Sequence, residues 1–207
     1  MNHKSKKGFT LLELLIVIGI MAVLATAATI VLNPAQLLAQ ARDSQRISDM
    51  DALKAALSLY LSDVSVPYLI ETGQGLNCPT YQYTNVPAGA STSSFSVARS
   101  NPANAASSTA RSVGGSGWLP VNFSAISGGS PLAVLPIDPT GSGNNIYRYA
   151  CDQTAKSFEL NACLESSKYM VKMGEDGGDK PASGAVTAGC GNIATTGFYE
   201  VGTVLNL

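Results

Sequence analysis

The side chain whose chemistry and position are hardest to reconcile is a carboxylate. Glu13 stands inside an otherwise almost uninterrupted apolar run from Phe9 to Leu32. An ionised acid in hydrocarbon costs several kcal/mol unless it is paired or snorkels to the interface, so a plain anchor has no reason to carry one. Four cysteines, Cys78, Cys151, Cys163 and Cys190, all follow this run. An even number of thiols in a segment facing an oxidising compartment points to two disulfides. Zinc is disfavoured, because no CxxC spacing and no nearby histidine accompany them. Glu175, Asp176 and Asp179 form an acidic cluster around Gly177 and Gly178, with oxygen ligands of the kind calcium takes, although the full spacing of a calcium loop is missing. The single histidine, His3, precedes the apolar run. No Gly-rich loop opens a helix as a phosphate cradle does, and no spacing points to a paired-carboxylate hydrolase.

The elements that must position these residues follow from the chain pattern. At 1.5 Å per residue the run from Phe9 to Leu32 covers the ~30 Å hydrocarbon core of a bilayer. Lys4, Lys6 and Lys7 stand just ahead of it, and positive charge there keeps that end in the cytoplasm. Asn33-Pro34 interrupts the helical pattern, since proline lacks an N–H and clashes with the preceding turn. From Ala35 to Val64, the residues Ile47, Met50, Leu53, Leu57, Tyr60 or Leu61, and Val64 recur at three- and four-residue steps, so one face of this second helix is buried. Asp43 with Arg46 and Asp51 with Lys54 are spaced for helical pairs. Such charges ordinarily make a solvated face; in a filament the same face would meet neighbouring copies, and intersubunit ion pairs are then the sharper expectation. One helix from Phe9 to Val64 would measure roughly 80 Å and project from its own domain.

Beyond the helix, Val66-Pro67-Tyr68 marks its end, and Gly73, Gly75 and Pro79 mark a loop carrying Cys78. Residues 86–117, rich in Ala, Ser, Asn and Gly, show neither a 3.6 nor a 2 period and read as a long irregular loop. Asn122-Phe123-Ser124 fits the N-glycosylation acceptor pattern, a tripeptide common by chance. Residues 146–151 and 157–164 read as strands joined by the polar turn 152–156; Tyr169–Met173 reads as a third strand and the apolar end near Tyr199 as a last one. In that hairpin Cys151 and Cys163 differ in register by about five residues, or more than ~15 Å. A disulfide needs Cα atoms within ~7 Å, so this reading leaves Cys78 bonded to Cys151 or to Cys163, with Cys190 taking the other.

Lys7-Gly8-Phe9-Thr10-Leu11-Leu12-Glu13-Leu14 resembles the class III signal of type IV pilins and type II secretion pseudopilins: a basic leader, Gly, Phe, and Glu at the fifth position after the cut. The resemblance implies cleavage between Gly8 and Phe9 by an aspartic prepilin peptidase, N-methylation of Phe9, and a role for Glu13 in assembly. Leu135-Pro136-Ile137-Asp138-Pro139-Thr140-Gly141 resembles the turn before the first C-terminal strand of major pseudopilins, a structural patch in which Asp138 caps a turn. Some pseudopilins bind calcium near the position of Glu175, Asp176 and Asp179.

The implied fold is α+β and pilin-like, a long N-terminal helix packed on a small antiparallel sheet. Its parts are a leader (1–8), a membrane and filament-core helix (9–32), an amphipathic half (33–64) and a β domain (65–207). A chain beginning at Phe9 has no histidine and keeps 10 Lys+Arg against 14 Asp+Glu. Ser-His-Asp and Cys-His catalysis are therefore excluded, and no nucleic-acid partner is expected. The implied function is that of a non-enzymatic pilus subunit, held by one span in the cytoplasmic membrane with its C-terminal domain outside, then polymerised by an assembly platform and its ATPase. A secretion pseudopilin is the alternative within the family. A non-polymerising anchored binding protein is the alternative outside it.

Overall fold

The computed structural model describes residues 8–70, 82–84, 105–141, 145–178 and 197–205. The chain divides into two compact units, 1–38 and 39–207.

The first unit is dominated by helix α1, Leu11–Leu32, whose side chains are exposed wherever they are described. Leu11–Thr29 is long and apolar enough to cross a membrane. The helix stops at Asn33, which adopts a left-handed conformation (φ 40°), and α2, Pro34–Asp63, starts on the next residue. Asparagine is among the few non-glycine residues that visit this region readily, and proline fits the first position of a helix because its missing N–H has no intrahelical partner there. The interruption expected at Asn33-Pro34 is thus present as a short unwinding at Asn33, which divides the helix in two.

In the second unit α2 buries Met50, Leu53, Ala56, Leu57 and Tyr60, the face that the three- and four-residue spacing predicts. They belong to one cluster with Tyr147, Tyr149, Cys151, Phe158, Leu160 and Val201 of the sheet region, and with Trp118, Leu119 and Phe123. Tyr60 meets Phe123 edge-on with ring centroids 6.0 Å apart.

The sheet comprises β1 Gln82–Thr84, β2 Ala105–Ser107, β3 Arg148–Asp152, β4 Ser157–Ala162 and β5 Tyr199–Gly202, in the order β2-β1-β3-β4-β5. All neighbours are antiparallel except β1 and β2, which are parallel. The β3–β4 hairpin is the one expected from sequence. Asp152 accepts hydrogen bonds from the N–H groups of Thr154 (2.8 Å) and Ala155 (3.0 Å), and Lys156 takes a positive φ of 53°, completing a tight polar turn.

Two expectations fail. Met170–Gly174 is a short 3-10 turn, not a strand. Its short apolar run resembles a strand's, but Tyr169 and Met170 donate backbone hydrogen bonds to Ser166 O, which coils the chain at that point. The stretch 86–117 is not irregular throughout, because Ala105–Ser107 pairs along β1. Alanine and serine have little strand propensity, and this pairing is imposed by the neighbouring strand. Residues 86–104 lie outside the described residues.

Candidate assembly site

The chain enters α1 through Thr10, whose backbone is extended (φ −78°, ψ 152°). Its hydroxyl accepts from the Glu13 N–H at 3.2 Å, while the Glu13 carboxylate accepts from the Thr10 N–H and hydroxyl, both at 2.8 Å. This reciprocal capping box satisfies two backbone donors that a helix start leaves open. The sequence marked Glu13 as a charge without a partner. The structure supplies a local one three residues back, and Thr10 is the residue that the sequence reading did not credit. Just before it, Gly8 and Phe9 are non-helical and Phe9 is 93% exposed, so the Gly8–Phe9 bond lies outside the helix.

The charges on α2 are arranged differently from the expectation. Asp43 and Arg46 do pair at the predicted i,i+3 spacing (2.9 Å), but both side chains are fully buried inside their own domain. Arg46 grips Asp138 through two hydrogen bonds, Nε to Oδ2 at 2.7 Å and Nη2 to Oδ1 at 3.0 Å, and also reaches Thr140 and Glu165. Asp43 accepts the backbone N–H of Glu165 and of Ser166, the latter at 2.7 Å. Arg42 forks onto Glu165, at 3.1 and 2.6 Å. Asp138 meanwhile accepts from the N–H groups of Thr140 (2.8 Å) and Gly141 (3.2 Å), the turn cap that the Leu-Pro-x-Asp-Pro pattern implies.

The expected intersubunit role is therefore corrected for Asp43 and Arg46, whose charge is spent on joining α2 to the 135–141 turn and the segment after β4. Burial opposes the Arg46 charge, yet its bonds to Asp138 and then Glu165 hold its proton more tightly than usual. Glu165 is held below the ordinary carboxylate range, chiefly by the Arg42 hydrogen bond. Asp51 and Lys54 stay exposed, and no ion pair joins them among the described residues.

Sequence reasoning also missed the sheet's second face, where Thr84, Arg148, Glu159, Asn161 and Glu200 are polar and buried. Arg148 lies over the Phe198 ring at 4.5 Å, a cation–π contact. The period-2 pattern of β3 and β4 marks two faces but does not say that both are covered.

Of the acidic cluster, Glu175 is exposed, whereas Asp176 accepts from the N–H groups of Gly178 (3.0 Å) and Glu200 (2.8 Å). Burial pushes the Asp176 carboxyl up. Asp179 lies outside the described residues, and among those residues no group of three or more His, Cys, Asp or Glu is placed to hold a metal ion. Cys151 and Cys163 are buried and disulfide-bonded; Cys78, Cys190, His3 and the leader lysines lie outside the described residues. Asn122, in the glycosylation-like tripeptide, accepts from the Ser124 N–H at 3.1 Å and caps a 3-10 turn, Phe123–Ala125.

Residues 3–29 match the family model for the prokaryotic N-terminal methylation motif. No curated protein and no solved structure matches the chain. The motif, which includes Gly8, Phe9, Thr10 and Glu13, supports a precursor of the type IV pilin or pseudopilin kind, processed by a prepilin peptidase.

Proposed function

We propose that this chain is the structural subunit of a type IV pilus-like filament, cleaved after Gly8, methylated on Phe9 and polymerised through α1. The observation that carries the reading is the methylation motif over residues 3–29, with its one acid, Glu13, on a helix otherwise apolar enough to span a bilayer. Cleavage creates an α-amino group on Phe9. In a filament, the Glu13 carboxylate of one subunit pairs with that amine on the next, which offsets the cost of a charge among apolar helices. In the precursor the Thr10 capping box holds the carboxylate; assembly replaces that partner with a cation.

The cytoplasmic membrane stores the subunit with its C-terminal domain outside, and an assembly platform with its ATPase draws it into the filament. The pseudopilin reading shares every one of these steps and differs in filament length and location. Electron microscopy of sheared surface material, with mass spectrometry of its N-terminus, tests both. Long filaments beginning at methylated Phe9 support the pilus; the same N-terminus confined to the cell envelope supports the pseudopilin; an intact Met1 refutes both.

A further inference from the structure

We infer that the two disulfides are Cys78–Cys151 and Cys163–Cys190. Cys151 and Cys163 are both disulfide-bonded, and the ladder rules out a bond between them. Cys151 is level with Phe158, and Cys163 lies five residues further along that chain, ~16 Å at strand rise. A bridge requires Cα atoms within ~7 Å. Each therefore takes one of the two remaining cysteines, and strand register separates the two ways of doing so.

Strand β1 pairs with β3 through Tyr83–Tyr149 and Thr84–Arg148, which puts Gln82 level with Ala150. From Gln82 the Cys151 position is one residue along and one strand across, ~6 Å. Cys78 is four residues before Gln82, so closing that bridge needs little extension. The Cys163 position is far less accessible. Arg148 is level with Asn161, so Cys163 is level with Ile146, four residues from Ala150 in the direction of the finish of β1. Two strand spacings must also be crossed, for a total of ~16 Å. A bridge itself spans up to ~7 Å, so ~9 Å of that path falls to the chain, about two thirds of the ~14 Å that four fully extended residues reach, whereas the Cys151 position lies within one bridge length of Gln82.

Two neighbourhoods agree with the uncrossed pairing. The Cys151 sulfur lies 3.8 Å from the Leu69 carbonyl oxygen, on the chain that leads to Cys78. Cys163 is level with Phe198 by the β4–β5 register and shares a buried cluster with it, eight residues after Cys190. Cys151 belongs to the core packed on α2 and Cys163 to the smaller cluster with Met173. The two bridges therefore fasten different parts of the domain. This assignment holds whether or not the subunit polymerises.

Trypsin places each cysteine in its own peptide: 55–99, 149–156, 157–168 and 173–207. A non-reducing digest of the full chain, exported and purified in detergent, is expected to give 55–99 joined to 149–156 and 157–168 joined to 173–207. Peptide 55–99 joined to 157–168, 149–156 joined to 157–168, or four free thiols would each overturn the assignment. Paired serine variants provide a second readout by maleimide labelling in denaturant. Cys78→Ser with Cys151→Ser is expected to leave no reactive thiol, and Cys78→Ser with Cys163→Ser to leave two; the reverse result refutes the pairing.

Discussion

Replacing Arg46 with methionine probes the contact on which the domain's polar interior depends. The guanidinium holds Asp138 by two hydrogen bonds and Asp43 by one, with Thr140 and Glu165 alongside, and no part of it is exposed. Removing one partner of a buried ion pair typically costs about 3–5 kcal/mol, because the carboxylates left behind lose their counter-charge in a poorly solvating site. Here the orphaned acids keep some compensation: Asp43 retains the Glu165 and Ser166 N–H groups, and Asp138 retains those of Thr140 and Gly141. That places the expected loss near the lower end, ~3 kcal/mol.

The only tryptophan, Trp118, donates its indole N–H to the Pro136 carbonyl at 2.9 Å, two residues from Asp138. Urea unfolding of the full chain in detergent, followed by Trp118 fluorescence, therefore reports on the clamped turn. Arg46→Met with Asp138→Asn should recover part of the loss, since the amide needs no counter-charge. A loss below ~1 kcal/mol for Arg46→Met would mean that the network is as dispensable as a surface ion pair, and the reasoning would fail.

Four further predictions concern Glu13, Gly117, Leu53 and Glu165. Glu13→Leu is expected to leave cleavage at Gly8 and membrane insertion intact while abolishing filaments; wild-type filaments on electron micrographs would remove Glu13 from assembly. Gly117→Ala is expected to cost about 1–3 kcal/mol in the same unfolding assay, because its Cβ would collide with the Ser112 carbonyl oxygen and lie 2.5 Å from Leu135 Cδ1; an unchanged midpoint contradicts it. Leu53→Ala should cost roughly 2–5 kcal/mol, as for a fully buried leucine losing its contacts. Acid lability should follow Glu165: its folded carboxyl titrates below the unfolded one, so its contribution is complete above the unfolded value of about 4.3 and lost as pH falls through the folded value. Glu165→Gln should flatten the acid limb of a stability–pH curve, and an unaltered limb would show that other carboxylates set it.

Legibility in the sequence tracked the range of the interaction. The buried face of α2 was readable because Met50, Leu53, Leu57 and Tyr60 repeat at the helical period. So was the β3–β4 hairpin, whose turn residues stand between two apolar runs, and the Asp138 turn, whose prolines and acid act on their immediate neighbours. The Tyr169–Met173 reading failed because a short apolar run fits a strand as well as a 3-10 turn, and only the bonds to Ser166 O decide it. β2 was missed because Ala105–Ser107 has no strand character of its own.

The sequence by itself determined the N-terminal features: the methylation motif, the apolar span, the acid within it and the break at Asn33-Pro34. Each rests on residues within a few positions of one another, where periodicity and backbone sterics operate. Tertiary structure decided what the charges and thiols do. Arg46 finds Asp138 across 92 residues, Arg42 finds Glu165 across 123, and register places Cys151 and Cys163 too far apart to meet. Spacing along the chain marks Asp43 and Arg46 as a pair, but it cannot tell a solvated pair from a buried one. Burial depends on which distant segments close over the helix, and that burial turns a surface charge pattern into the joint between α2 and the rest of its domain.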